Sequence, residues 1–532
     1  MSIFSKVSMK KPKSSTFNMS YDRKFSLNMG ELIPCHIQEV VPGDKINMTT
    51  QQMLRFPPMV APVMHEVNVF THFFFVPNRI LWDGWEKFIT GGENGLDTTL
   101  FPTVDNLRVP TGSLGDYLGL PTKDNGNPIA DKVSLLPFLA YQTIYNEYYR
   151  DQNLIPEIDT KSFKDGNNNA PDIGWLFDLR KRAWQHDYFT SALPWAQKGL
   201  PVKFPIAPAD AYLNVFWQTS DNPGDWVRDP QTGQIINLGP NADDQYLENR
   251  NGHLGSEFNS TVTNKASIDN SQNLRVPLDN MPSPLINDVR KAFKLQEWLE
   301  KQARGGSRYV ENILSFFGVR SSDARLQRPE YLGGGMSPVM ISEVLQTSQT
   351  QDSPQGNMAG HGLNLGKNHS FNRFFEEHGY IIGIMSVMPK TAYQQGLPRH
   401  FSKFDKFDYF WPQFEHIGEQ PILNKEVFLP EVNDPLKYDI NGVFGYIPRY
   451  AEYKYNPSTV HGDFRKSLDF WHMGRIFDPE NPPKLNREFV ESNPTKRIFA
   501  VEESEEGTLY CHMFHSIQAR RPMAYYSDPS FR

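Results

Sequence analysis

The segment VNVFTHFFFVPNRILWDGWEKF, residues 67–88, begins with the alternation of a half-buried strand and then abandons it. Val67, Val69 and Thr71 recur at every second position, the period at which side chains share one face of a sheet. Phe73, Phe74, Phe75 and Val76 then place bulky apolar groups on both faces. A strand of this kind needs cover on two sides, from a helix layer, a membrane or another protein.

The same reading along the chain predicts strands at both ends with helical excursions between them. LIPCHIQEVVPGDKINMTTQQM predicts two strands about a turn at Pro42-Gly43-Asp44, and Met59 to Val76 a long strand with Pro62 at its irregular start. Helices are predicted over Trp82–Ile89, Pro137–Arg150, Asp172–Asp187, Asn287–Arg304 and Ser307–Phe317. The fourth has the fullest set of signals: a capping Asn, apolar Val289, Phe293 and Leu299, and Gly305-Gly306 as a stop. Later strands are predicted over Val339–Gln346, Phe371–Phe375, Tyr380–Met388, Tyr409–Ile417 and Gly442–Tyr450. Arg497–Val501 and Thr508–Ile517 make a final pair, joined by EESEEG. No repeat and no βαβ rhythm is visible, so the class is mainly β without a parallel sheet.

Composition narrows the choice of cover. With 39% hydrophobic and 13% aromatic residues, the chain can bury a large core, and its 41 Pro point to many irregular connections. The length of 532 residues suits several domains or one domain with long insertions. No apolar run approaches the ~20 residues needed to cross a bilayer, which removes the membrane. The N-terminal MSIFSKVSMKKPKSSTFNMS lacks the apolar core of a secretory signal. Cys35 and Cys511 cannot form a disulfide framework; they suit a reducing site of folding and two buried thiols.

Charge is uneven within a net −7. Residues 1–30 form a basic arm in which Lys6, Lys10, Lys11, Lys13, Arg23 and Lys24 face Asp22 alone. Residues 205–280 hold ten acidic side chains against four basic ones, yet include Trp217, Trp226 and Tyr246. A pure tether would rarely carry such aromatics, so this segment reads as an ordered surface excursion suited to recognition.

The usual constellations of an enzyme are missing. GHGLNLGKN departs from a phosphate loop, because His361 stands where the first Gly should and Asn368 follows Lys367. His65-Glu66 lacks the second His of a zinc helix, and Cys511, His512 and His515 would point to two faces of one strand. Glu502, Glu503, Glu505 and Glu506 make a solvated link more readily than an acid/base pair. No catalytic residue, cofactor or metal is therefore expected. The basic arm fits chemistry better: Lys10, Lys11, Lys13, Arg23 and Lys24 are interleaved with Phe17, Tyr21 and Phe25. The other terminus sets Arg520, Arg521 and Arg532 beside Tyr525 and Tyr526. Cations next to aromatic platforms suit single-stranded nucleic acid, whereas the plainer reading of both termini is solvation.

Five strings carry a resemblance. HFFFVPNRILWDGWEKF, DYLGLP, YFTSALPWAQKG, RPEYLGGG and HSIQARRPM run in order from residue 72 to residue 523. Together they resemble the major capsid protein of the Microviridae, small tailless single-stranded DNA phages, in the gokushovirus branch. The resemblance implies an eight-stranded antiparallel jelly-roll barrel with long, partly helical insertions over residues 31–532, preceded by the arm of residues 1–30. It also implies a T=1 icosahedral shell of sixty copies around a circular single-stranded DNA genome, assembled in the host cytoplasm. Expected partners are an internal scaffolding protein, minor or pilot proteins and a host surface receptor, with no membrane insertion. Residues 205–280 match the branch's surface protrusion, with Trp217, Trp226 and Tyr246 as candidates for host recognition; the plainer reading of Trp217 and Trp226 is a local core that holds the protrusion together. Lys10, Lys11, Lys13, Arg23, Lys24, Arg520, Arg521 and Arg532 are the candidates for phosphate neutralisation. The competing class is a β-rich carbohydrate-binding or carbohydrate-cleaving protein, which would place two carboxylates ~5 to 10 Å apart in a cleft.

Overall fold

Half-buried alternation over long stretches, as in KINMTTQQMLR and LYCHMFHSIQARR, builds one of two antiparallel sheets, whereas the central strands of the other, VNVFTHFFFVP and GYIIGIMSVMP, are buried on both faces. The computed structural model describes residues 14–199 except 94–95 and 130, short strand segments between 212 and 277, and residues 286–526 except 306–310, 312–313, 316–319, 321, 346, 348–357, 432–436 and 501–507. The chain divides into two units, residues 1–199 with 298–532, and residues 200–297.

The frame strands of the larger unit are β1 (Ser15–Asn18), β2 (Tyr21–Leu27), β3 (Ile33–Val40), β4 (Lys45–Arg55), β5 (Val67–Pro77), β6 (Glu330–Pro338), β7 (Met340–Leu345), β8 (Met358–Phe374), β9 (Gly379–Pro389) and β10 (Leu509–Arg521). One sheet has the order β7-β8-β4-β10, with β1 and β2 sharing the far edge of β10. The other has the order β6-β5-β9-β3. The chain mostly changes sheet between consecutive frame strands, and at Val339 it crosses directly from β6 to β7.

The sheets share two apolar clusters. One gathers Leu27, Ile33, Cys35, Leu54, Val69, Met385, Val387, Leu509, Cys511 and Met513. The other gathers Val40, Ile46, Met48, Phe73, Phe75, Phe371, Ile381, Ile517 and Ala519. A polar seam lies between them in strand register. Tyr21 Oη is 2.7 Å from His36 Nδ1. His515 joins the Cys35 carbonyl through Nε2 (3.1 Å) and Thr50 Oγ1 through Nδ1 (3.0 Å). Gln52 accepts from Thr71 Oγ1 at 2.8 Å and donates to Asn364 Oδ1 at 3.1 Å. Pairing these groups with one another offsets much of the desolvation cost of burying them, although His36 Nε2 has no hydrogen-bond partner among the described residues. Gly383 makes room for the seam: a Cβ there would stand 2.7 Å from the Phe73 ring and 3.0 Å from His36 Cβ.

The double-faced strand β5 is covered as its pattern demands. Phe73 and Phe75 point into the cluster between the sheets, packing on Phe371 and Phe375. Phe74 and Val76 point the other way, into a helical insertion. There α1 (Asn78–Leu81) and α2 (Trp85–Thr90) lead on to α3 (Leu136–Ile144), which runs into a π turn over Tyr145–Tyr149. Phe74 lies 4.7 Å from the Tyr148 ring and 5.6 Å from Tyr331. Leu81 of α1 and Trp82 just beyond it join the same cluster, so the segment after β5 supplies part of the cover and α3 most of it. Each fully buried phenyl ring contributes about 2 kcal/mol from area alone.

Several expectations change. The strand predicted from Met59 starts at Val67, because Pro57, Pro58 and Pro62 interrupt the ladder and leave Met59 with isolated bridges. The helix predicted over Trp82–Ile89 is confined to Trp85–Thr90, with a separate helical turn before it at Asn78–Leu81; Trp82–Gly84 lies between the two, and a Cβ at Gly84 would meet the Trp82 ring. Asp172–Asp187 contains only the end of a 3-10 turn over Ala170–Leu176. Tyr409–Ile417 is not a strand: a 3-10 turn at Pro412–Phe414 occupies it and no strand among the described residues pairs with it. Arg497–Ala500 is a turn whose Ile498 and Phe499 are core residues, so burial without alternation imitated a strand. The long helix predicted at Asn287 is present as α4 (Ile286–Gly305), whereas most of Ser307–Phe317 lies outside the described residues. Among the described residues no helix is long and apolar enough to cross a membrane.

Candidate nucleic-acid interface

Alternation along β10 sends Cys511, Met513, His515, Ile517 and Ala519 inward and Tyr510, His512, Phe514, Ser516, Gln518 and Arg520 outward. The strand β4 does the same, presenting Lys45, Asn47, Thr49, Gln51, Met53 and Arg55. Antiparallel register aligns the two outward rows: Tyr510 with Arg55, His512 with Met53, Phe514 with Gln51, and Arg520 with Lys45. On the next strand Lys24 stands opposite His512 and Asp22 opposite Phe514. On the other side, Leu365 and Phe374 of β8 extend the face and are exposed.

The face is open, polar at its centre, aromatic in patches and cationic at its margins. Across the outward positions of β1, β2, β4 and β10, Lys24, Lys45, Arg55 and Arg520 share the surface with one carboxylate, Asp22. Bonds from Lys24 and then from His512, at 3.2 Å, hold Asp22 below the usual carboxylate range. Tyr510 and Phe514 leave half or nearly half of their surface exposed between the cations. Cations that neutralise phosphate and rings that accept stacked bases are the two requirements for binding a single strand without reading its sequence.

The structure separates the basic residues singled out from sequence. Lys24 and Arg520 lie on the open face, the latter donating from Nε to Ser14 Oγ at 3.1 Å. Arg23 turns inward, where its guanidinium donates to the Tyr117 carbonyl. Arg521 is largely buried, donating to the Glu39 carbonyl at 2.9 Å and standing 3.3 Å from Asp44. Lys10, Lys11, Lys13, Arg532 and Trp217 lie outside the described residues. In the smaller unit, Trp226 belongs to a strand, Trp226–Arg228, paired with Ile235–Asn237. Tyr246 belongs to Gln245–Arg250, paired with His253–Phe258. Lys45, Arg55, Tyr510, His512 and Phe514 were not foreseen; alternation sets each on one side of its strand, but the pairing of residue 55 with residue 510 is tertiary information.

No metal cluster occurs among the described residues, and His512 faces away from Cys511 and His515. Both cysteines are buried and free; burial pushes the Cys35 thiol up to about 12 and that of Cys511 upward as well.

Residues 5–531 match the model of the family described as capsid protein (F protein). The chain is 36% identical to capsid protein VP1 of Chlamydia phage 1, over 99% of this chain and 97% of that one. It is 38% identical to capsid protein VP1 of Bdellovibrio phage phiMH2K, over 97% and 95% of the two chains. Against capsid protein VP1 of Spiroplasma virus 4 it is 33% identical, over 95% and 93%. A match along the whole chain to structural proteins of small phages means that this chain belongs to the phage F capsid-protein family of the Microviridae, a shell-forming component of the virion and not an enzyme.

Proposed function

We propose that the chain is the subunit of a T=1 icosahedral shell, sixty copies of which enclose a circular single-stranded DNA genome. The fold in this reading is an eight-stranded jelly roll, with β2, β10, β4 and β8 in one wall and β3, β9, β5 and β6 in the other. Support comes from the sheet orders and from the change of sheet between successive strands. The observation that carries the DNA reading is the open outer face of β2, β10 and β4, with four cations, two exposed rings and one carboxylate. That face lines the lumen and neutralises phosphate, joined by the arm residues Lys10, Lys11 and Lys13 and by Arg532.

Residues 205–280, with Trp217, Trp226 and Tyr246, form the outer surface that meets the host receptor. Assembly takes place in the host cytoplasm with a scaffolding protein and minor or pilot proteins. Particles purified from infected cells test the reading through nuclease protection and electron microscopy. Uniform small icosahedral particles that protect single-stranded DNA are expected; empty particles, or protection that persists when Lys24, Lys45, Arg55 and Arg520 are all reversed in sign, would refute it.

A further inference from the structure

The segment LPRHFSKFDKFDYFWPQFEHIG, residues 397–418, of which Tyr409–Ile417 reads as a strand, folds as an exposed aromatic shelf. Phe404, Phe407, Tyr409, Phe410, Trp411 and Tyr453 are between 44% and 89% exposed. An aromatic side chain offers about 200 Å², so at these exposures the six present on the order of 600 Å². The largest apolar patch on a typical monomer is about 300–600 Å², and one side of a standard protein interface is about 800 Å². Ile417, Tyr455 and Phe401, close to these rings in sequence and each at least 60% exposed, add further apolar surface.

The shelf is held in shape by its own bonds. Asp405 and Asp408 cap a 3-10 turn reciprocally, and the Asp408 carboxylate also accepts from the Phe404 N–H at 3.0 Å. Tyr450 is buried with a left-handed backbone, φ 61°, a conformation that costs energy in a bulky residue. Its hydroxyl lies 3.3 Å from both the Tyr409 carbonyl and the Trp411 N–H, so the strained residue pins the loop from beneath. Trp411 Nε1 donates to the Lys406 carbonyl at 2.8 Å and Phe410 packs on Tyr450 and Tyr453. A surface fixed before contact loses little entropy on binding.

Charge decides the kind of partner. Lys403 is spent on Glu452 at 3.1 Å and on the Tyr453 ring at 3.9 Å. Arg399 stands 3.3 Å from Glu426, Lys454 stands 3.7 Å from Glu415, and Arg449 covers Tyr450. Lys406 lies over Phe407 between Asp405 and Asp408. With its cations paired or laid over rings, and with Asp405 and Asp408 turned to backbone N–H groups, the shelf suits a protein surface and not a polyphosphate; aromatic enrichment with paired or absent charge is the composition of an interface core. We propose that this shelf is a copy-to-copy contact of the shell, its occupant a second copy of this chain.

The inference rests on shell assembly but fails separately from it. Phe404, the most exposed ring, is replaced in Phe404→Asp and conservatively in Phe404→Tyr, with Leu96→Asp at another exposed apolar site as the control. Assembly of full-length protein co-produced with the other phage proteins is followed by sedimentation and electron microscopy, and folding by circular dichroism. Phe404→Asp is expected to raise the concentration needed for assembly at least tenfold with unchanged melting, while Phe404→Tyr and Leu96→Asp assemble like the wild type. Hydrogen exchange on wild-type protein needs no variant: amides of residues 404–417 should gain protection on assembly. Normal assembly of a folded Phe404→Asp chain, or no gain in protection, overturns the proposal. Protection conferred by a different phage protein without assembly also overturns it, whereas failure of the wild type to assemble counts against the shell reading itself.

Discussion

His515 sits at the middle of the seam between the sheets, and burial pushes its imidazole down to about 4 from an ordinary 6.5. It is therefore neutral at pH 7 in both the folded and unfolded states. Between pH 6.5 and 4 the unfolded chain binds this proton and the folded chain does not, so stability falls as pH falls through that window. The drop from 6.5 to about 4 corresponds to about 3 kcal/mol, fully present above pH 6.5 and lost below pH 4. His36, whose ring centroid is 5.1 Å away, is held down by the same burial and adds to the loss. The perturbation is His515→Gln, whose amide can still donate to the Cys35 carbonyl but does not titrate. Urea unfolding of the unassembled subunit, followed by tryptophan fluorescence, gives the stability of both proteins from pH 7 to pH 4. The wild-type advantage should shrink by about 3 kcal/mol on acidification, with a slope no steeper than about 1.4 kcal/mol per pH unit. An advantage that stays constant, or grows as the pH drops, refutes the assignment of His515 as a neutral member of the seam.

Phe74→Ala, which empties the contact between β5 and the Tyr148 turn, should cost about 3–5 kcal/mol in the same unfolding measurement, and a loss below about 1 kcal/mol would show that the insertion does not pack there. Arg55→Gln with Arg520→Gln should flatten the logarithmic salt dependence of single-stranded DNA binding by about 1.4, since each phosphate contact on a single strand contributes about 0.7, and the loss should be the same for different base sequences. Arg23→Gln, by contrast, removes a cation tied to the Tyr117 carbonyl and should leave that slope unchanged in a filter-binding titration.

Alternation made β4 and β10 legible because each is half buried along its whole length, and the run at Phe73 correctly announced a strand with two apolar faces. What covers the second face was hidden, since Tyr148 and Tyr149 arrive from an insertion more than seventy residues away. Strand β6 was hidden by its own glycines: Gly333, Gly334 and Gly335 look like a stop, yet a Cβ on Gly334 would stand 2.4 Å from the Thr71 carbonyl, so close pairing with β5 requires that Gly334 carry no side chain. The aromatic run at Tyr409 misled in the opposite sense, because ring content suggests a strand while Pro412 and the capping pair Asp405 and Asp408 impose turns. Basic residues near the termini were visible as charge, but whether each faces out depends on strand parity and partners; Lys24 and Arg520 do, and Arg23 and Arg521 are drawn inward.

An icosahedral reconstruction of genome-filled particles tests the central claim most directly. The account predicts sixty subunits with the outer face of β2, β10 and β4 turned to the lumen and nucleic-acid density against Tyr510, Phe514 and Arg55. The same face on the particle exterior, or sealed under a neighbouring subunit with no density beside it, would contradict the account.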